Sequence, residues 1–94
     1  MLPEEEKQYS QAIKLWSPIA QIGMLHEEMA ELVIAINKFD RGKDNLDHIA
    51  EEMADVKIML DQMQILFKIS DEDLKRWHDI KFKKMKKMLE DGIL

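Results

Sequence analysis

The 94-residue sequence has no cysteine, only two prolines and three glycines, and no long apolar run. Without cysteine, disulfides, thiolate nucleophiles and cysteine-ligated metals are all excluded. So few prolines and glycines leave little to interrupt helices. No apolar stretch approaches the ~20 residues that a membrane-spanning helix needs, so no membrane partner is expected. The first residues, MLPEEEKQYS, are acidic and polar and do not resemble a signal peptide, so a cytoplasmic protein is expected. A net charge of −5 argues against binding a nucleic-acid polymer. No Gly-rich phosphate loop, G-x-S-x-G or H-E-x-x-H occurs, and the enzyme classes built on those motifs lose support.

What is present is 46% hydrophobic and 35% charged, a composition that folds. A chain of this length makes one small domain, residues 1–94, with a modest core, so association with a second copy is expected. The patterning predicts an all-α antiparallel bundle of about four helices, completed by dimerisation. Helix one is expected over Glu4–Trp16. Ser17-Pro18 reads as an N-cap followed by proline at the first helical position, opening helix two over Pro18–Phe39. The segment DRGKDN is a turn, and helix three follows over Leu46–Lys68. Ser70, with Asp73 three residues on, caps helix four over Asp71–Glu90. Short loops make successive helices antiparallel.

The most informative feature is a repeated acidic hexapeptide: EEMAEL at residues 27–32 and EEMADV at residues 51–56. Each copy holds two carboxylates three residues apart, Glu28 with Glu31 and Glu52 with Asp55. Residues three apart share a helix face. Two such helices side by side direct four carboxylates at one spot, where they repel and are costly to desolvate. A hard divalent cation relieves that cost and prefers oxygen ligands, so Mg²⁺ is the expected cofactor, with Mn²⁺ as an alternative. A single Glu-x-x-Glu in a Glu-rich helix is ordinarily a solvated face. Here both copies sit in the same register beside an apolar stripe: Ile22, Leu25, Met29, Leu32, Val33 and Ile36 in helix two, and Leu46, Ile49, Met53, Val56, Leu60 and Phe67 in helix three. The carboxylate faces also carry Met24, Ala35, Met59 and Leu66, so a second contact surface is expected there. Di-iron bundles need Glu-x-x-His. None of His26, His48 or His78 has glutamate three positions earlier, which turns the site away from iron.

The spacing Glu28-x-x-Glu31, twenty residues, Glu52-x-x-Asp55 resembles the signature of the all-α nucleoside triphosphate pyrophosphohydrolases, the MazG-like family. The likeness extends through Gln21-Ile22, the Arg41-Gly42 turn and a basic fourth helix, and covers Trp16 to Lys84. It implies Mg²⁺-dependent cleavage of a nucleoside triphosphate to the monophosphate and pyrophosphate, including house-cleaning of the nucleotide pool. It also implies a homodimer or dimer of dimers. Glu28, Glu31, Glu52 and Asp55 would be metal ligands. Glu27 and Glu51 would support them, or one would orient water. Family members often carry Lys, then Asn and Arg, in the last helix. This chain has Lys81 and Lys84 and no Asn or Arg after them, so its phosphate-contacting set departs from the pattern.

Charge is unevenly placed. Residues 1–67 hold 6 basic and 13 acidic groups, whereas residues 75–87 hold 7 basic groups against Asp79 alone. A basic last helix beside an acidic centre suits a metal-bound anion, and equally suits a solvated helix pairing with acidic neighbours. Lys81 lies within the apolar stripe of Leu74, Trp77, Met85 and Met88, and Lys84 borders it. Trp16 and Trp77 offer faces for stacking on a base, although a tryptophan in a small helical core is more often packing. Gln21, two turns before Glu28, is a candidate for a base or sugar contact or else a surface amide. His48, near the start of helix three, is expected to be exposed. Two other functions fit the same residues: a phosphoribosyl-ATP pyrophosphohydrolase and a non-enzymatic helical interaction module.

Overall fold

A computed structural model describes residues 1–92. Four helices are present: α1 (Pro3–Trp16), α2 (Pro18–Asp40), α3 (Leu46–Leu66) and α4 (Asp71–Glu90). No strand forms among the described residues. Each boundary has a local cause. The Glu5 carboxylate accepts from the Leu2 backbone N–H at 2.7 Å and closes the start of α1. Ser17 ends α1 and begins α2 within one residue. Its N–H donates to Ile13 O at 2.9 Å, while its Oγ accepts from Ala20 N at 3.3 Å. The proline that follows disfavours helical backbone at Ser17, which takes φ 87°. Gly42 turns the chain after α2 at φ 71°, where a side chain would be strained. Asn45 then caps α3 by accepting from His48 N at 2.8 Å, and Ser70 caps α4 by accepting from Asp73 N at 3.1 Å. The end of α3 falls two residues short of the expected Lys68. That residue takes the left-handed φ of 55° and turns the chain out of the helix.

Packing is confined to α1, α2 and α3, with α2 against α3 as the main pair. The fourth helix packs along none of them. Its first turn alone is tied to α3, by Gln64 Nε2 donating to Asp71 Oδ1 at 2.6 Å. The radius of gyration is accordingly 16.3 Å, against about 12 Å for a compact domain of this length.

The face that α2 and α3 bury against one another differs from the apolar stripe read from the sequence. Of that stripe, Met29, Val33, Ile36, Leu46, Met53, Leu60 and Phe67 are exposed and Ile22, Leu25, Leu32, Ile49 and Val56 half-buried, whereas Gln21, Ala35, Glu52, Met59, Gln62 and Met63 are buried. The side face bearing the carboxylates is therefore the helix–helix seam. Small Ala35, 1% exposed, lets the helices approach, and the bulkier stripe is left facing outward.

Because Ala35 sits in the seam, Ala35→Leu should force the helices apart. It should lower stability by about 1–3 kcal/mol, measured by urea unfolding followed by circular dichroism. An unchanged midpoint would mean that the seam is not tightly packed at this position.

Candidate metal centre

The register of the seam is fixed by a buried amide pair: Gln21 Nε2 donates to Gln62 Oε1 at 2.6 Å. In an antiparallel pair, equal steps away from one contact reach residues at the same level. Seven residues on, about 10 Å, Glu28 comes level with Asp55. Three further on, Glu31 comes level with Glu52. The two acidic motifs thus meet across the seam. Carboxylate oxygens of Glu28, Glu31 and Glu52 lie within 4.8 Å of one another. Asp55 is close enough to act on both Glu28 and Glu52 electrostatically.

The cluster is partly dry. Glu52 is 7% exposed, and one oxygen each of Glu28 and Glu52 is buried without a hydrogen-bond partner. Burial pushes the Glu28 carboxyl above its ordinary pKa, and the charges of Glu31, Asp55 and Glu52 push it further. Burial raises Glu52 too, with Glu31 adding repulsion and the His48 hydrogen bond partly opposing it. Orphaned buried carboxylate oxygens in a set made of oxygen donors fit a hard divalent cation.

Other predicted residues fall at varied distances from this centre. Glu27 is exposed and belongs to neither candidate ligand cluster; Glu51 is exposed but has an oxygen within 4.8 Å of His48 and Glu52 ligand atoms. Gln21 is buried rather than a surface amide. It lies on a cavity of about 450 Å³ together with Trp16, Met24, Met59 and Gln62. Trp16 is largely exposed at that cavity. Lys81 and Lys84 stand on α4, away from the seam.

Two residues were missed from sequence. Gln62 pairs with a residue 41 positions away and carries no local signal. His48 is half-buried rather than exposed, because it sits between two acids at helical spacing. Its Nδ1 lies 2.7 and 2.9 Å from the Asp44 carboxylate oxygens, and its Nε2 lies 3.2 Å from Glu52 Oε1. The Asp44 hydrogen bond raises the His48 pKa and lowers that of Asp44. The 44-48-52 spacing, one turn each way, was the available clue.

Comparison of the chain with protein-family models, curated proteins and solved structures gave no match. No helix among the described residues is long and apolar enough to cross a membrane.

The raised groups set a sign for pH dependence. Glu28, Glu52 and His48 hold protons more tightly folded than unfolded, so their contribution to stability is present at low pH and lost as pH rises through their folded pKa values. In chelator, lowering the pH from about 8 to about 5 should therefore raise the melting temperature. Glu28→Gln should flatten that dependence and stabilise the metal-free chain. A melting temperature that rises with pH across this window would contradict the assignment.

Proposed function

We propose that this chain is a divalent-cation-dependent nucleoside triphosphate pyrophosphohydrolase of the MazG-like kind. The observation that carries the reading is the meeting of Glu28, Glu31 and Glu52 oxygens within 4.8 Å, with buried oxygens of Glu28 and Glu52 left unpartnered. Glu28, Glu31, Glu52 and Asp55 would hold Mg²⁺ or Mn²⁺. A cation bound there supplies charge neutralisation for the triphosphate and a water of lowered pKa.

The remaining roles belong to the chain's own side chains. A nucleotide laid along the seam, with its phosphates at the carboxylates, directs its base toward the cavity about 10 Å away. There Met24 and Met59 offer apolar contact, Trp16 a stacking face, and the Gln21–Gln62 pair amide groups for the base edge. Glu51, exposed and with an oxygen within 4.8 Å of a Glu52 ligand atom, or the exposed Glu27, would accept the proton from the water that attacks the α-phosphorus as pyrophosphate leaves. Lys81 and Lys84 reach the phosphates only if α4 of the same or a second copy folds over the seam.

A second copy is part of the reading. The chain exposes 7730 Å², against about 5,700 Å² for a compact monomer of its mass. An excess of about 2,000 Å² is on the scale that stable dimers bury. Val33, Ile36, Met53 and Leu60, together with Trp77, Phe82 and Met85 of α4, supply apolar surface for it. The basic α4 also complements the acidic first three helices. Sedimentation equilibrium should give a dimer or tetramer, and a monomer at micromolar concentration would remove this part.

A panel of nucleotides, including damaged and deoxy forms, dUTP and phosphoribosyl-ATP, should show Mg²⁺-dependent pyrophosphate release with at least one member. Glu52→Gln and Asp55→Asn should each abolish that release while helicity is retained. Full turnover in both variants would sink the assignment. The unpartnered apolar face of α4 also suits a non-enzymatic interaction module. That reading gains if the melting curve ignores millimolar Mg²⁺ and Mn²⁺ and no nucleotide is turned over.

A further inference from the structure

We propose that His48, Glu51 and Glu52 form a second cation site, beside the oxygen-only cluster, that takes a first-row divalent ion such as Mn²⁺ or Zn²⁺. A nitrogen or oxygen atom of each lies within 4.8 Å of the others. The inference overlaps the hydrolase reading at Glu52, which the two clusters share, and at Glu51, and does not need nucleotide turnover.

The argument begins with the imidazole. Asp44 holds Nδ1 with both carboxylate oxygens, at 2.7 and 2.9 Å. Nδ1 therefore carries a proton, and Nε2 faces Glu52 Oε1 at 3.2 Å. Were Nε2 unprotonated, its lone pair and that of the carboxylate would repel at this distance. Something positive must lie between them, either a proton or a metal ion. Carboxylate–imidazole–metal is the arrangement that sets the tautomer and basicity of metal-bound histidines. The separation also fits an ion, because two ligand atoms each about 2.1 Å from one cation stand about 3.0–3.4 Å apart in octahedral or tetrahedral geometry.

A second observation comes from Glu52 itself. It is 7% exposed, and its Oε2 is buried with no partner while Oε1 faces His48. A carboxylate that belongs to both clusters can serve both sites. Glu51 is exposed and completes three protein ligands, leaving coordination positions for water or an anion. A nitrogen donor turns this site toward Mn²⁺ or Zn²⁺, whereas the oxygen-only cluster suits Mg²⁺.

The test is pulsed electron paramagnetic resonance of Mn²⁺ titrated into the whole chain without nucleotide, paired with calorimetry. Wild-type protein should show ¹⁴N modulation from a coordinated imidazole. His48→Gln should abolish that modulation and weaken one class of Mn²⁺ binding by about 10–100-fold, while the other class survives. Glu28→Gln should do the reverse, losing the oxygen-only class and keeping the nitrogen signal. Asp44→Asn should weaken the nitrogen-coupled class. Absence of ¹⁴N modulation in the wild type overturns the proposal whatever the variants do, and so does modulation that persists in a folded His48→Gln. In either case a proton occupies the gap and His48 is only an ion-pair partner. Failure of the hydrolase reading would look different: metal bound with its nitrogen signal, and no nucleotide cleaved.

Discussion

Repulsion among carboxylates across the α2–α3 seam is the constraint around which the molecule is arranged. Glu28, Glu31, Glu52 and Asp55 would each be cheaper to keep in water. Instead the helix pair buries the side that bears them and leaves larger apolar side chains outside. Stability spent in this way is characteristic of functional sites, where local preference and global fold disagree. The amide pair on one side of the acids and small Ala35 on the other, both in the seam, hold the helices close enough for the acids to meet. His48 and Asp44 answer part of the repulsion from within α3 and its cap. The excess of negative charge that remains is the feature on which the proposed cation site rests.

This arrangement also leaves the described chain with a small buried core. Its buried hydrophobic residues are Tyr9, Ala35, Met59 and Met63, a small set for a folded domain. The groups that would ordinarily build a core, such as Met29, Val33, Met53 and Leu60, point outward. Beyond Leu74, which shares a cavity with Leu60 and Met63, the fourth helix carries apolar residues such as Trp77, Phe82 and Met85 that are exposed among the described residues. The exposed apolar surfaces and the two regions of opposite charge are the features on which the proposed second copy rests.

Most of the helical framework was legible in the sequence, because caps and breakers act locally. Ser17-Pro18, Asn45 and Ser70 each fix a helix start through a bond to a residue three positions on. The acidic repeat was legible for the same reason, since spacing within a helix fixes what shares a face. The choice of buried face was not. Periodicity tells which faces are apolar, but α2 and α3 have more than one. Which face is satisfied within the chain depends on how closely the helices approach, and that turned on Ala35 and on glutamines 41 residues apart. The role of His48 lay between these cases. Its spacing to Asp44 and Glu52 was visible, yet it gains meaning only once Glu52 is known to be buried.

The five-residue turn between α2 and α3 has a consequence for how the molecule comes into being. All four acids, both glutamines and His48 lie within one continuous helical hairpin, residues 18–66. Contacts of this kind close over short stretches of chain, so they form early and rapidly.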